Sequence, residues 1–142
     1  MDYRIRRTPD ELESTGFMEI CPSKFSGKHW QPGSLFVWED AFNVAEGIVL
    51  RHLPSFDHMS SNDIPASIGA AIIADWLAAA DRLPKQTSSE ASAELHLAEW
   101  FREPFHEDFV ERRSEIVTML RALAYDCRQF YSRSEWLCII GV

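Results

Sequence analysis

The stretch 64–83, IPASIGAAIIADWLAAADRL, restricts the fold more than any other part of the chain. Ile68, Ile72, Trp76, Ala79 and Leu83 recur at steps of three and four, and Ala70, Ala71, Ile73, Ala74, Leu77, Ala78 and Ala80 fill much of the remaining circumference. So wide an apolar surface predicts a central core helix buried on most sides, with Asp75 and the closing Asp81-Arg82 pair facing water. The alanines favour the helix and let neighbouring helices approach closely. Its length nominally suits a bilayer span, but Asp75 near the midpoint disfavours one, because a charge there costs about 3 kcal/mol.

The flanking sequence supplies short strands and further helices. DYRIRR, with Tyr3 and Ile5 alternating with charges, predicts a short edge strand guarded by those charges. Thr8-Pro9-Asp10-Glu11 reads as a capped helical turn ended by Gly16, and Phe17 to Cys21 as a second strand ended by Pro22. The loop PSKFSGKHWQPG carries Phe25, His29 and Trp30, read as plugs over the core in preference to ligand contacts. Leu35 to Trp38 is a brief strand or the lead-in to a helix.

Glu39 to Leu53 forms an amphipathic helix, with Phe42, Ala45, Ile48, Val49 and Leu53 inward and Glu39, Asp40, Asn43 and Glu46 outward. Its Gly47 marks a close approach by another helix. Asp63 is the expected N-cap of the central helix. After Pro84, Thr87 and Glu90 form a capping box for a helix to about Arg102, with Ala91, Leu95, Ala98 and Phe101 inward and Pro104 breaking or kinking it. Phe109, Ile116, Leu120, Leu123, Cys127 and Phe130 continue the period to about Tyr131, a stripe suited to antiparallel packing on the central helix. The final EWLCIIGV reads as a buried strand paired with Phe17 to Cys21.

The expected architecture is α+β and mainly helical: four or five helices packed around the central apolar helix (about 64–83), with a small sheet from the N- and C-terminal segments. A chain of 142 residues with 46% hydrophobic content suits one domain over 1–142. Cys21, Cys127 and Cys138 are odd in number, have no C-x-x-C spacing, and read as buried hydrophobes in a cytoplasmic protein.

Net charge is −8 and falls mostly in the middle of the chain, where residues 75–111 hold nine carboxylates against three cations. That disfavours nucleic acid, whose phosphates want clustered Lys and Arg, and favours a basic protein partner. Glu99, Glu103, Glu107, Asp108 and Glu111 form an acidic series, largely at steps of four, that would line one helical face if Pro104 does not turn the chain. They are the candidate partner-binding residues, set against the alternative of a solvated face. His52, Asp57, His58 and Asp63 gather four potential metal ligands within twelve residues, so a small metal-dependent hydrolase is the alternative, against capping and loop hydrogen bonds. No phosphate loop or nucleophile elbow is present, and His106-Glu107 is followed by Val110 where H-E-x-x-H needs a second histidine. No cofactor is expected.

The block LFVWEDAFNVAEGIVLRHLPSFDHMSSNDIP, with the helix containing Asp75-Trp76, resembles the small acidic immunity proteins of bacterial polymorphic-toxin and contact-dependent inhibition systems. The resemblance covers Leu35 to Leu83 and lies in general character, with no diagnostic motif. It implies a non-enzymatic cytoplasmic inhibitor that binds a cognate toxin domain, commonly a basic nuclease, and occludes its active site. No contact residues carry over from the family. A structural or adaptor subunit is the remaining expectation.

Overall fold

The structure, a computed structural model, describes residues 1–141; Val142, at the end of the expected last strand, lies outside them. Among the described residues the strands are β1 (Ile5–Arg6), β2 (Phe17–Cys21), β3 (Leu35–Trp38), β4 (Ser61–Pro65) and β5 (Trp136–Ile140). The helices are α1 (Glu39–His52), α2 (Ala66–Arg82), α3 (Ser88–Glu94) and α4 (Glu99–Tyr131). The protein is mainly helical α+β, with all strands in one antiparallel sheet of order β1-β3-β2-β5-β4.

The sheet draws on both ends of the chain. Ile20 opposes Ile139 and Cys21 opposes Cys138, the expected pairing of the last strand with Phe17 to Cys21. Alternation sends Met18 and Ile20 into the main core beneath the helices, while Cys21, Cys138 and Ile140 form a small second cluster on the opposite face. Phe25 from the 22–33 loop packs on that cluster, as a plug should, whereas Trp30 remains 44% exposed.

β4 departs from the expected pattern. Ile64 belongs to a strand, and Asp63 sits within it opposite Cys138, so Asp63 caps no helix; Pro65 takes the N-cap position of α2. Ser61 to Pro65 has no strong strand propensity, but β5 presents a free edge for it to satisfy. The helix that follows buries Ile72, Ile73, Trp76, Ala79 and Ala80 while leaving Ala70 and Ala74 exposed, so burial covers one broad face rather than most sides. The Trp76 indole N–H donates to the Ala45 carbonyl on α1 at 3.0 Å. Asp75, expected to face water, is half-buried against His52.

The helix expected to run to about Arg102 breaks well before it. α3 starts at the expected Thr87–Glu90 capping box but ends at Glu94, and His96 adopts a left-handed φ of 52°. Gly47 explains the place: a Cβ there would collide with the Leu95 and His96 carbonyl oxygens, so α1 crosses closely over this turn. Ala98 is consequently exposed.

Pro104, by contrast, lies inside α4 without breaking it. Proline removes the donor that would bond the Trp100 carbonyl, but both residues lie on the exposed face, where water replaces it. The helix kinks instead at Arg112 (φ −115°, ψ 16°). There the neighbouring Arg113 guanidinium donates to the Pro84 and Gln86 carbonyls at 2.9 and 3.1 Å and covers the Phe109 ring. Beyond the kink, Ile116, Leu120, Leu123 and Cys127 are buried, and α4 makes its most extensive packing with α2.

Candidate functional site

The continuity of α4 through Pro104 gives the acidic series its geometry. With no break between them, Glu99, Glu103, Glu107 and Glu111 follow one another a turn apart on the exposed face. None of the four has an ion-pair partner among the described residues. Trp100, 67% exposed, and Val110, 75% exposed, lie along the same stretch. Trp100 is held edge-on against the buried Phe101 ring, 5.6 Å between centroids.

Asp108 leaves this series. One residue beyond Glu107 turns it about 100° around the helix, toward the N-terminal segment. There it accepts from the Tyr3 hydroxyl at 2.7 Å, pairs with the Met1 ammonium at 3.4 Å, and receives Arg112 Nε at 3.3 Å. Burial first, and then Asp108, push the Tyr3 phenol far above its ordinary pKa, so it stays a donor. Asp108 fastens the chain end to α4.

Trp100 also forms one wall of a groove of about 410 Å³ whose other lining residues are Glu39, Asp40, Asn43, Glu46 and His58. The groove joins the acidic outer face of α1 to the start of α4. Asp40 accepts from the Trp38 indole at 3.2 Å, and Glu46 is engaged by His58 Nδ1. The resulting surface is a large aromatic ring surrounded by carboxylates from two helices. It offers contact area and a negative field.

The histidine and aspartate group does not converge. His52 Nε2 lies 2.6 Å from Asp75 on α2, and His58 turns to Glu46 on α1. Asp57 accepts from the Met59 amide at 2.9 Å, and Asp63 accepts from the Phe25 amide at 2.8 Å. Each makes the turn or tertiary contact that its residue type favours. Among the described residues, no three His, Cys, Asp or Glu side chains are arranged to hold a metal ion. No helix among them is long and apolar enough to cross a membrane.

No known protein family, curated protein or solved structure matches this chain.

A second groove, of about 630 Å³, runs between the N-terminal segment and α4 past Asp2, Arg4, Arg112 and Glu115. Its charges are mutually paired: Asp2 binds both Arg4 and Arg6, and Arg112 binds Asp108 and Glu115. Hydrogen bonds, Arg4's foremost, hold the Asp2 carboxyl well below the usual range. Little uncompensated charge is left there to attract a ligand.

Sequence reasoning missed Glu19. It is 1% exposed in the middle of β2 and accepts from the Trp30 and Gln31 amides, from Ser34 Oγ at 2.7 Å and from Cys21 Sγ at 3.3 Å. Several donors satisfy the oxygens of this buried polar side chain, which is how such a group is tolerated inside a protein. It also holds Trp30 in a left-handed backbone conformation, φ 57°, anchoring the far end of the 22–33 loop. The alternation Phe17, Glu19, Cys21 signals that Glu19 faces away from Met18 and Ile20. Nothing local shows that a loop covers that face.

Proposed function

We propose that this chain is an acidic protein-binding module, an immunity-type inhibitor that occludes the active site of a basic toxin domain. The observation that carries the reading is Trp100, exposed on the stretch of α4 that bears four unpaired glutamates and beside the acidic groove against α1. Exposed tryptophan is enriched among the residues that dominate binding energy, and a surrounding negative field steers a basic partner and discriminates against others. Glu99, Glu103, Glu107 and Glu111 supply that field; Asp108, already engaged by Tyr3, does not take part. No cofactor enters this function. The metal-hydrolase alternative draws on side chains that point to separate partners, and no feature of the site favours it.

The test is a pull-down from the source organism's extract with the tag at the N-terminus, washed at low and high salt and read by mass spectrometry. One basic protein is expected in stoichiometric amount, with retention falling as salt screens the charges. Trp100→Ala should weaken binding about tenfold or more, and Glu103→Lys with Glu107→Lys should weaken it at low salt. Recovery of only the chain itself, or of a partner indifferent to all three substitutions, overturns the assignment of this face. A homo-oligomer burying Trp100 would instead favour the structural-subunit reading.

A further inference from the structure

Cys21 on β2 and Cys138 on β5 stand directly opposite each other in the antiparallel register. Opposed residues send their side chains to the same face, and both cysteines join the small cluster that Phe25 covers, with Cys21 Sγ also donating to Glu19 at 3.3 Å and Cys138 lying beside Asp63. Both are free and fully buried. The type of pair follows from the other edge of β5. Gly141 N donates to Ser60 O at 2.8 Å and Ala66 N to Glu135 O at 2.9 Å, so the odd-numbered residues of β5 bond toward β4 and Cys138 turns its own amide and carbonyl toward β2. Cys21 and Cys138 therefore form a hydrogen-bonded pair, with Cα atoms about 5.5 Å apart. That separation lies inside the range disulfides span.

We propose that Cys21 and Cys138 are a covalent modification site, a reversible cross-strand disulfide formed by exchange with a small-molecule disulfide such as oxidised glutathione. One cysteine gives its proton to solvent and its thiolate attacks a sulfur of the oxidant, whose S–S bond breaks and whose other sulfur leaves as a thiolate that takes up a proton. The second cysteine, deprotonated in turn, attacks the protein sulfur of the mixed disulfide and expels the second small thiol. Two protein thiols are oxidised, and one small disulfide is reduced to two thiols. The bridge is a strained one, because Cβ atoms in a hydrogen-bonded pair start farther apart than a disulfide holds them, and strained bridges are the readily reduced ones.

Access is controlled by the 22–33 loop. Burial, the largest cause, pushes both thiols up to about 12, so the closed protein reacts slowly. The loop carries no helix or strand, and it is held by the Phe25 plug, by Phe25 N on Asp63, by Lys24 over the Trp136 ring at 4.1 Å and by the Glu19 carboxylate. Such a segment opens at lower cost than the sheet beneath it. Once made, the bridge ties an early strand to the last one, restricting nearly the whole unfolded chain.

The full chain is incubated with oxidised glutathione at mildly alkaline pH, quenched with an alkylating agent and mapped by mass spectrometry. The expected product is lighter by two hydrogens, with linked peptides containing Cys21 and Cys138 and with Cys127 left as a thiol. It melts at a higher temperature than the reduced form, and dithiothreitol abolishes the difference. Cys127→Ser should behave in the same way, whereas Phe25→Ala should form the bridge several-fold faster. Folded protein that keeps both cysteines free, stops at a glutathione adduct, or links either one to Cys127 overturns the proposal. Because the wild-type chain carries the primary measurement, the result does not depend on a variant that folds poorly.

Discussion

Cys127 shows how a single buried side chain couples stability to pH. It lies on the inner face of α4, and burial, with a smaller contribution from Asp126, pushes its thiol above the ordinary value. A group whose folded pKa is raised contributes fully below the unfolded pKa, about 8.5 for a thiol, and loses that contribution as pH climbs toward the folded value. Cys127→Ala should therefore cost stability at neutral pH by leaving a cavity. The gap to wild type should narrow above pH ~8.5 by up to about 1.4 kcal/mol per pH unit. Urea denaturation at a series of pH values reads this directly, and a gap independent of pH contradicts it. The residue type foretold burial at all three cysteines; which two would face each other depended on strand register.

At the scale of elements, α4 holds the lesson of Pro104. A proline this far into a helix forfeits one backbone hydrogen bond and strains the preceding turn, yet the helix runs on because the orphaned carbonyl faces water and the Phe101, Phe105 and Phe109 rings anchor the opposite face. Pro104→Ala should restore the bond and raise stability by about 1–2 kcal/mol, part of the roughly 3 kcal/mol proline penalty being offset by the freer unfolded chain. Chemical denaturation checks it; an unchanged or lowered midpoint would show that the kink-free path around Pro104 carries no cost. The periodicity of α4, the capping box of α3 and the strand character of β2 and β5 were legible locally, since each depends on residue spacing or strand propensity; the expected pairing of those two strands holds, but it is a contact between the two ends of the chain. The breaks at His96 and Arg112 were not. They depend on the close crossing of Gly47 and on the reach of Arg113 to Pro84 and Gln86, contacts between segments far apart in sequence.

For the whole molecule, the sheet is closed by its last strand: β5 lies between β2 and β4, so residues from both ends of the chain and from its middle meet across it. Deleting the chain from Trp136 onward leaves β4 without a partner strand and β2 paired only with β3, and uncovers Ile20 and Ile64. The cooperative thermal transition seen by circular dichroism should be lost; a truncated chain that still melts sharply would show that the helices form a core on their own. The candidate binding face is likewise a property of the whole. Its glutamates could be counted in the sequence, but Trp100 joins Glu39, Asp40 and Glu46 only because α1 packs beside the start of α4.

The sequence by itself determined the apolar helix around Trp76, the amphipathic α1, the stripe on α4, the buried last strand and the acidic balance of the middle of the chain. These follow from side-chain periodicity, capping chemistry and charge, which act within a few residues. Tertiary structure alone decided that Ile64 would join a strand, that Asp108 would fasten Tyr3 while its neighbours faced solvent, and that His52 and His58 would part. It also decided that Glu19 would be buried under a loop. Each of those outcomes satisfies a hydrogen-bonding or packing demand with a partner distant in sequence, and such demands take shape only once the elements have packed.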